Sequence, residues 1–151
     1  MSTAKIYKIE NRLAAAVDAQ YGTQLHTVLK RAQDAVHAMQ DEMMPALRGW
    51  IAEIDTLCGQ EAPDLSRMAW LANGVLGVGG ACGLEALARC GALFGRAIEI
   101  MGQGDGWRRD AARIYAAALV RILDGADRAA DEAAVLASLE AMNRSLSGPE
   151  T

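Results

Sequence analysis

Apolar residues recur every three to four positions along most of this chain, the period of a helix with one buried face. Ile6, Ile9, Leu13 and Ala16 or Val17 predict a short amphipathic helix over residues 4–19, ended near Tyr21 and Gly22. Thr23 is placed to cap the next one. There Leu25, Val28 or Leu29, Ala32, Val36, Met39, Met43, Leu47, Trp50 or Ile51, Ile54 and Leu57 keep helical spacing as far as Gly59. Only Pro45 interrupts the stripe. A proline there removes one backbone donor and crowds the carbonyl one turn back, which predicts a kink or a break near residues 42–44.

Behind Pro63, Asp64 is a candidate N-cap for a helix from Leu65 to about Gly79. Gly74, Gly77, Gly79 and Gly80 fall inside it, and each glycine in a helix interior costs about 1 kcal/mol relative to alanine. Close approach of another backbone is the expected compensation. Leu84, Leu87, Gly91, Phe94, Ile98 and Met101 form the stripe of a further helix that ends in the glycine-rich segment 102–106. Asp105 or Gly106 then starts another, with Ile114, Ala118, Leu119 and Ile122 inward and Asp124-Gly125 as its stop. An alanine-rich helix follows from about Asp127 to Leu146, and residues 147–151 are expected to fray.

Helices joined by such short loops pack as antiparallel neighbours. The predicted fold is all-α: an antiparallel up-down four-helix bundle over residues 38–146, an N-terminal helical extension over 1–37, and a disordered tail over 147–151. Composition agrees, because 52% of residues are hydrophobic but only 5% aromatic, which leaves Ala, Leu, Ile, Val and Met to fill the core. Trp50 and Trp107 read as packing anchors, and Met39, Met43, Met44 and Met68 as adaptable filler.

Charge narrows the partners. A net charge of −4, with no Lys/Arg run longer than two, gives counterion release little to work with and argues against nucleic acid. Cys58, Cys82 and Cys90 form no C-x-x-C pair and have no histidine nearby, so neither a disulfide framework nor a zinc site is indicated. No metal and no cofactor are expected. The first ten residues lack an apolar leader core and no apolar run reaches membrane length, so the expectation is a reduced, cytoplasmic protein.

The segment Leu71-Ala72-Asn73-Gly74-Val75-Leu76-Gly77-Val78-Gly79-Gly80-Ala81-Cys82-Gly83-Leu84-Glu85-Ala86-Leu87 resembles the signature of histidine phosphotransfer (HPt) domains, roughly L-A-H-x-L-K-G-x-x-G-x-x-G-x-x-x-L. Leu71, Ala72, Gly77, Gly80, Gly83 and Leu87 agree at the right spacing. Asn73 stands where the family has its phosphoaccepting histidine, and Leu76 where a lysine is usual. A carboxamide nitrogen has its lone pair delocalised into the carbonyl and cannot serve as the nucleophile. The resemblance therefore implies a non-catalytic HPt-like protein that binds a response-regulator receiver domain or a histidine kinase and modulates phosphoryl flow. Ala69, Trp70, Asn73, Leu76, Gly77 and Gly80 are the implied contact residues, all within a turn or two of position 73. Trp is a frequent interface anchor, although Trp70 could equally face the core.

Other chemistry reads less well. His26 and His37 are the only histidines, and neither is followed by the small-residue pattern that lets a receiver approach. Residues 77–83 resemble a nucleotide-binding glycine loop, but the last glycine is one place late and no strand precedes it. Asp55 and Gln60 resemble the acidic-plus-Gln pair of helical chemotaxis phosphatases, where the separation is four residues rather than five; the extra residue swings Gln60 about 100° away. A phosphatase of a phosphorylated regulator, using Gln60 or Asn73 to orient water, is the alternative function. A third reading is a homo-oligomeric scaffold, a homodimer among its forms, in which the N-terminal arm and the Met-rich helix pair between subunits.

Overall fold

The computed structural model describes residues 25–104, 106–125 and 129–148. They form five helices: α1 (Leu25–Cys58), α2 (Leu65–Ala81), α3 (Glu85–Gln103), α4 (Arg109–Leu123) and α5 (Ala129–Leu146). No strand occurs among the described residues, and the fold is all-α. The expected helix over 4–19 and the Thr23 cap lie outside them. The chain divides between Val36 and His37 into two units. Of the first, residues 25–36 belong to α1, with His26, Val28, Leu29 and Val36 exposed.

Of the kink or break expected near residues 42–44, the break does not occur: α1 continues through Pro45 as one helix. The ring is exposed, and the backbone acceptor it leaves without a donor belongs to Asp41, itself exposed, so water can take the donor's place. Within the second unit α1 buries Leu47, Ile51, Ile54 and Cys58, a stripe at intervals of three and four. Each fully buried Leu or Ile of that kind contributes about 1.5–3 kcal/mol.

Asp64 caps α2 as its position predicts: Oδ1 accepts the Arg67 backbone N–H at 2.9 Å. The other end lies two residues beyond Gly79. Gly83 adopts φ 73°, its N–H reaches the Gly80 carbonyl at 3.1 Å, and the Leu84 N–H reaches Gly79 at 2.8 Å. This paired closure satisfies two terminal carbonyls and turns the chain sharply. From α1, Gln40 Nε2 donates to the Cys82 carbonyl at 2.8 Å and ties off the same corner.

The turn folds α3 back along α2 in a fixed register. A Cβ on Gly79 would lie 3.1 Å from the Ala88 nitrogen, one on Gly91 3.1 Å from the Leu76 nitrogen, one on Gly95 3.9 Å from the Ala72 Cβ, and one on Gly102 3.6 Å from the Leu65 Cδ1. One number falls as the other rises by equal steps, so the pair is antiparallel. Gly91 sits against the backbone of both Ala72 and Leu76, and with Gly79 it marks where the two helices come close.

α3 also packs on α4 and α5, and a buried core runs through all five helices. α4 begins at Arg109 rather than at Asp105 or Gly106. Gly106 has φ 101°, outside any helix, and Asp105 is not among the described residues. Trp107, half-buried beside the core, donates Nε1–H to the Gln60 carbonyl at 3.1 Å and fixes the approach to α4. Ile114, expected inward, is 52% exposed. The buried stripe of α4 is centred on Tyr115 and Leu119, and Ile114 falls about 100° from Tyr115. The start of α5 near Asp127 lies outside the described residues. At its end, the Ser147 N–H and Oγ both donate to the Asn143 carbonyl, and residues 149–151 are again outside.

Candidate functional site

The six residues singled out around position 73 lie on one face of α2. Taking about 100° per residue, Ala69, Trp70, Leu76, Gly77 and Gly80 all fall within about 60° of Asn73. Asn73, Gly77 and Gly80 are exposed, Trp70 is 53% and Leu76 41% exposed, and Ala69 is half-buried. The opposite face holds Met68, Leu71, Ala72, Val75 and Gly79 in the core. Among the described residues the Asn73 carboxamide has no hydrogen-bond partner.

The four glycines of α2 separate into two kinds. Gly79 faces the α3 backbone, and Gly74 faces the Trp50 ring, where a Cβ would come within 2.9 Å of Cζ3. Gly77 and Gly80 face nothing: a Cβ on either meets no atom within 4 Å. Close backbone approach inside the molecule therefore explains Gly79 and not Gly77 or Gly80.

Trp70 faces outward and is held. Trp50 meets it edge-on with ring centroids 5.7 Å apart, and the Arg67 guanidinium lies over its ring at 4.6 Å. Arg67 is itself fixed by two donated bonds to Glu53, at 2.7 and 2.9 Å. Those hydrogen bonds hold the Glu53 carboxyl below its usual range. The indole is thus exposed yet restrained by two neighbours, the Trp50 edge and the Arg67 guanidinium, so that ordering it in a contact costs little further entropy.

On the other flank of Asn73 runs a shallow groove of about 250 Å³ between α2 and α3. Ala69, Asn73 and Leu76 line one side; Ala92, Gly95, Arg96 and Glu99 line the other. Arg96 and Glu99 pair with each other at 3.1 Å, both well exposed. Such a surface pair is worth little and separates readily. Arg67, Glu53, Arg96 and Gly95 were not singled out by the sequence, although the antiparallel register of α2 and α3, once known, sets Gly95 opposite Ala72.

The remaining candidates lie elsewhere. Gln60 sits past the end of α1 in the turn before Asp64, and the face around Asn73 does not include it. His26 and His37 are exposed on α1. Residues 77–81 of the glycine-rich stretch are helical, so no phosphate-cradling loop forms there. Cys58, Cys82 and Cys90 are free and buried. Among the described residues no three His, Cys, Asp or Glu side chains converge in a metal-binding cluster, and no helix is long and apolar enough to cross a membrane. Comparison of the chain with models of protein families, with curated proteins and with solved structures gives no match.

Proposed function

We propose that this protein is a non-catalytic docking module, an HPt-like antiparallel helical bundle whose α2 face binds the receiver domain of a response regulator without taking its phosphoryl group. One observation carries the reading: α2 holds glycines at 77 and 80 that its own packing does not require, beside an exposed, restrained Trp70 and an unpartnered Asn73. Flush glycines on an exposed face suit a surface that another backbone approaches. The reacting position of the resembling family is here a carboxamide, so contact leads to occupancy rather than transfer.

The test is a titration of the purified chain against receiver domains from the same genome, each unphosphorylated and activated with beryllofluoride, followed by tryptophan fluorescence and calorimetry. One-to-one binding that Trp70→Ala and Gly77→Leu weaken at least tenfold is the expected result. Absence of binding to any receiver, or stable movement of phosphoryl label onto the chain, overturns it.

The free carboxamide of Asn73 also favours a second reading, in which it orients water against the receiver's acyl phosphate. Asn73→Ala separates the two. An unchanged dephosphorylation rate with intact binding supports docking alone, whereas a lost rate with intact binding assigns a phosphatase.

A further inference from the structure

The outward side of α4 is built to match itself. Ile114 stands out of it as a 52% exposed branched side chain, although its neighbours Tyr115 and Leu119 are fully buried. It forms part of the wall of an apolar groove of about 410 Å³, together with Ala117, Ala118 and Arg121 of α4 and residues of α5 that include Val135 and Leu139. A large apolar knob and a mainly apolar hollow, whose α4 wall beside Ile114 is Ala117 and Ala118, therefore share one surface. Exposed apolar surface in one continuous groove is the kind a partner covers.

Charge placement identifies the partner. Asp110 lies in the first turn of α4 and Arg121 in the last. With about 100° per residue, Asp110, Ala117 and Arg121 all fall within about 60° of Ile114. Opposite charges thus flank an apolar centre on one face. A two-fold axis crossing α4 between Tyr115 and Ala116 sets each residue against its mirror position in an antiparallel copy. Ile114 then meets the partner's Ala117, and Asp110 meets the partner's Arg121, each contact occurring twice. That is the self-complementarity an isologous dimer requires. Arg121 also interacts within its own chain; a guanidinium carries five N–H donors, enough to serve both.

We infer that the α4–α5 face binds a second copy of this chain, with α4 of each protomer seated antiparallel in the other's groove. This surface does not include α2, so the inference stands or falls independently of receiver docking. It also differs from pairing through the Met-rich α1.

Light scattering after size exclusion, with the full chain from micromolar to millimolar concentration, reads the outcome directly. The expected mass is twice the 16.0 kDa of the chain. Ile114→Arg, at an exposed position, returns it to the single-chain mass with an unchanged circular dichroism spectrum. Asp110→Arg alone weakens association about tenfold, because both end pairs become repulsive. Asp110→Arg combined with Arg121→Asp restores it, a rescue that damage to the fold would not produce. A single-chain mass at millimolar concentration overturns the proposal, and so does a dimer indifferent to Ile114→Arg.

Discussion

Tyr115 donates its hydroxyl to Asn143 Oδ1 at 2.8 Å in the interior, where Asn143 is the buried polar side chain of the described core. Asn143 Nδ2 in turn donates to the Leu93 carbonyl at 2.9 Å, so one short chain of bonds links α4, α5 and α3. Removing the hydroxyl leaves a buried acceptor without its donor, at a cost of about 1–3 kcal/mol. Tyr115→Phe is expected to lower the urea midpoint accordingly, with the docking face unaffected. An unchanged midpoint would mean that water reaches Asn143 in the variant.

The same interior makes stability sensitive to alkali. Burial pushes the Cys90 thiol from 9.0 up to about 12, and burial aided by Asp55 does the same to Cys58. Burial, with Cys90 nearby, lifts Tyr115 from 10.0 to about 12. A native pKa raised above the unfolded value means that the unfolded chain loses its proton first. The stabilisation is complete below pH 9, falls as pH rises from 9 to about 12, and is lost beyond it. Denaturation midpoints measured through that range should decline, and thiol alkylation near neutrality should require unfolding. A midpoint that stays flat above pH 9 would show the thiols to be solvated.

The glycines of α2 predict opposite signs at neighbouring positions. Gly77→Ala adds a methyl to open space in a helix interior and should stabilise by about 0.5–1 kcal/mol. Gly79→Ala drives its Cβ to 3.1 Å from the Ala88 backbone nitrogen, which side-chain rotation cannot relieve, and should destabilise. Thermal melts of the two variants decide the matter. If Gly77→Ala is also destabilising, that glycine has an internal role after all and the argument from unneeded glycines fails.

These signs explain how far the amino-acid sequence could be read. Helix existence followed from periodicity, and Asp64 marked the start of α2 because capping chemistry is local, whereas the left-handed closure at Gly83, beyond the expected end near Gly79, came from the structure. Ile114 was misassigned because Ile114, Ala118 and Ile122 keep helical spacing just as Tyr115, Leu119 and Ile122 do; which stripe faces inward depends on what α3 presents. The unbroken helix at Pro45 depended on exposure, which spacing does not reveal. Around Asn73 the face itself was legible from geometry on one helix. The elements that restrain or flank it, Trp50 and Glu53 from α1 and Arg96 from α3, come from distant segments and needed the register of packed helices.

Trp70 and Leu76 should carry most of any binding at that face. Trp70→Ala removes a restrained, half-exposed indole and is expected to cost the receiver complex about 2 kcal/mol or more while shifting the melting temperature little, since its ring lies outside the core. Arg67→Ala, which takes away the cation above the ring, should weaken binding less than Trp70→Ala does. Parallel titrations and melts would separate the effects. Loss of stability matching the loss of affinity would show Trp70 to be a structural residue.

The strongest prediction restores what position 73 lacks. Asn73 is exposed and unpartnered at the centre of its face, so Asn73→His needs no repacking and presents an imidazole to whatever docks there. Leu76→Lys adds one turn away the cation that the resembling family carries. If a receiver binds over this face, the double variant should accept phosphoryl from the receiver's aspartyl phosphate: the aspartyl oxygen leaves, a bond forms to the imidazole nitrogen, and label becomes acid-labile on the chain. The unaltered protein, tested beside it, should remain unlabelled. A variant that folds and still binds the receiver, yet acquires no label, would show that the partner's phosphorylated aspartate does not lie opposite residue 73.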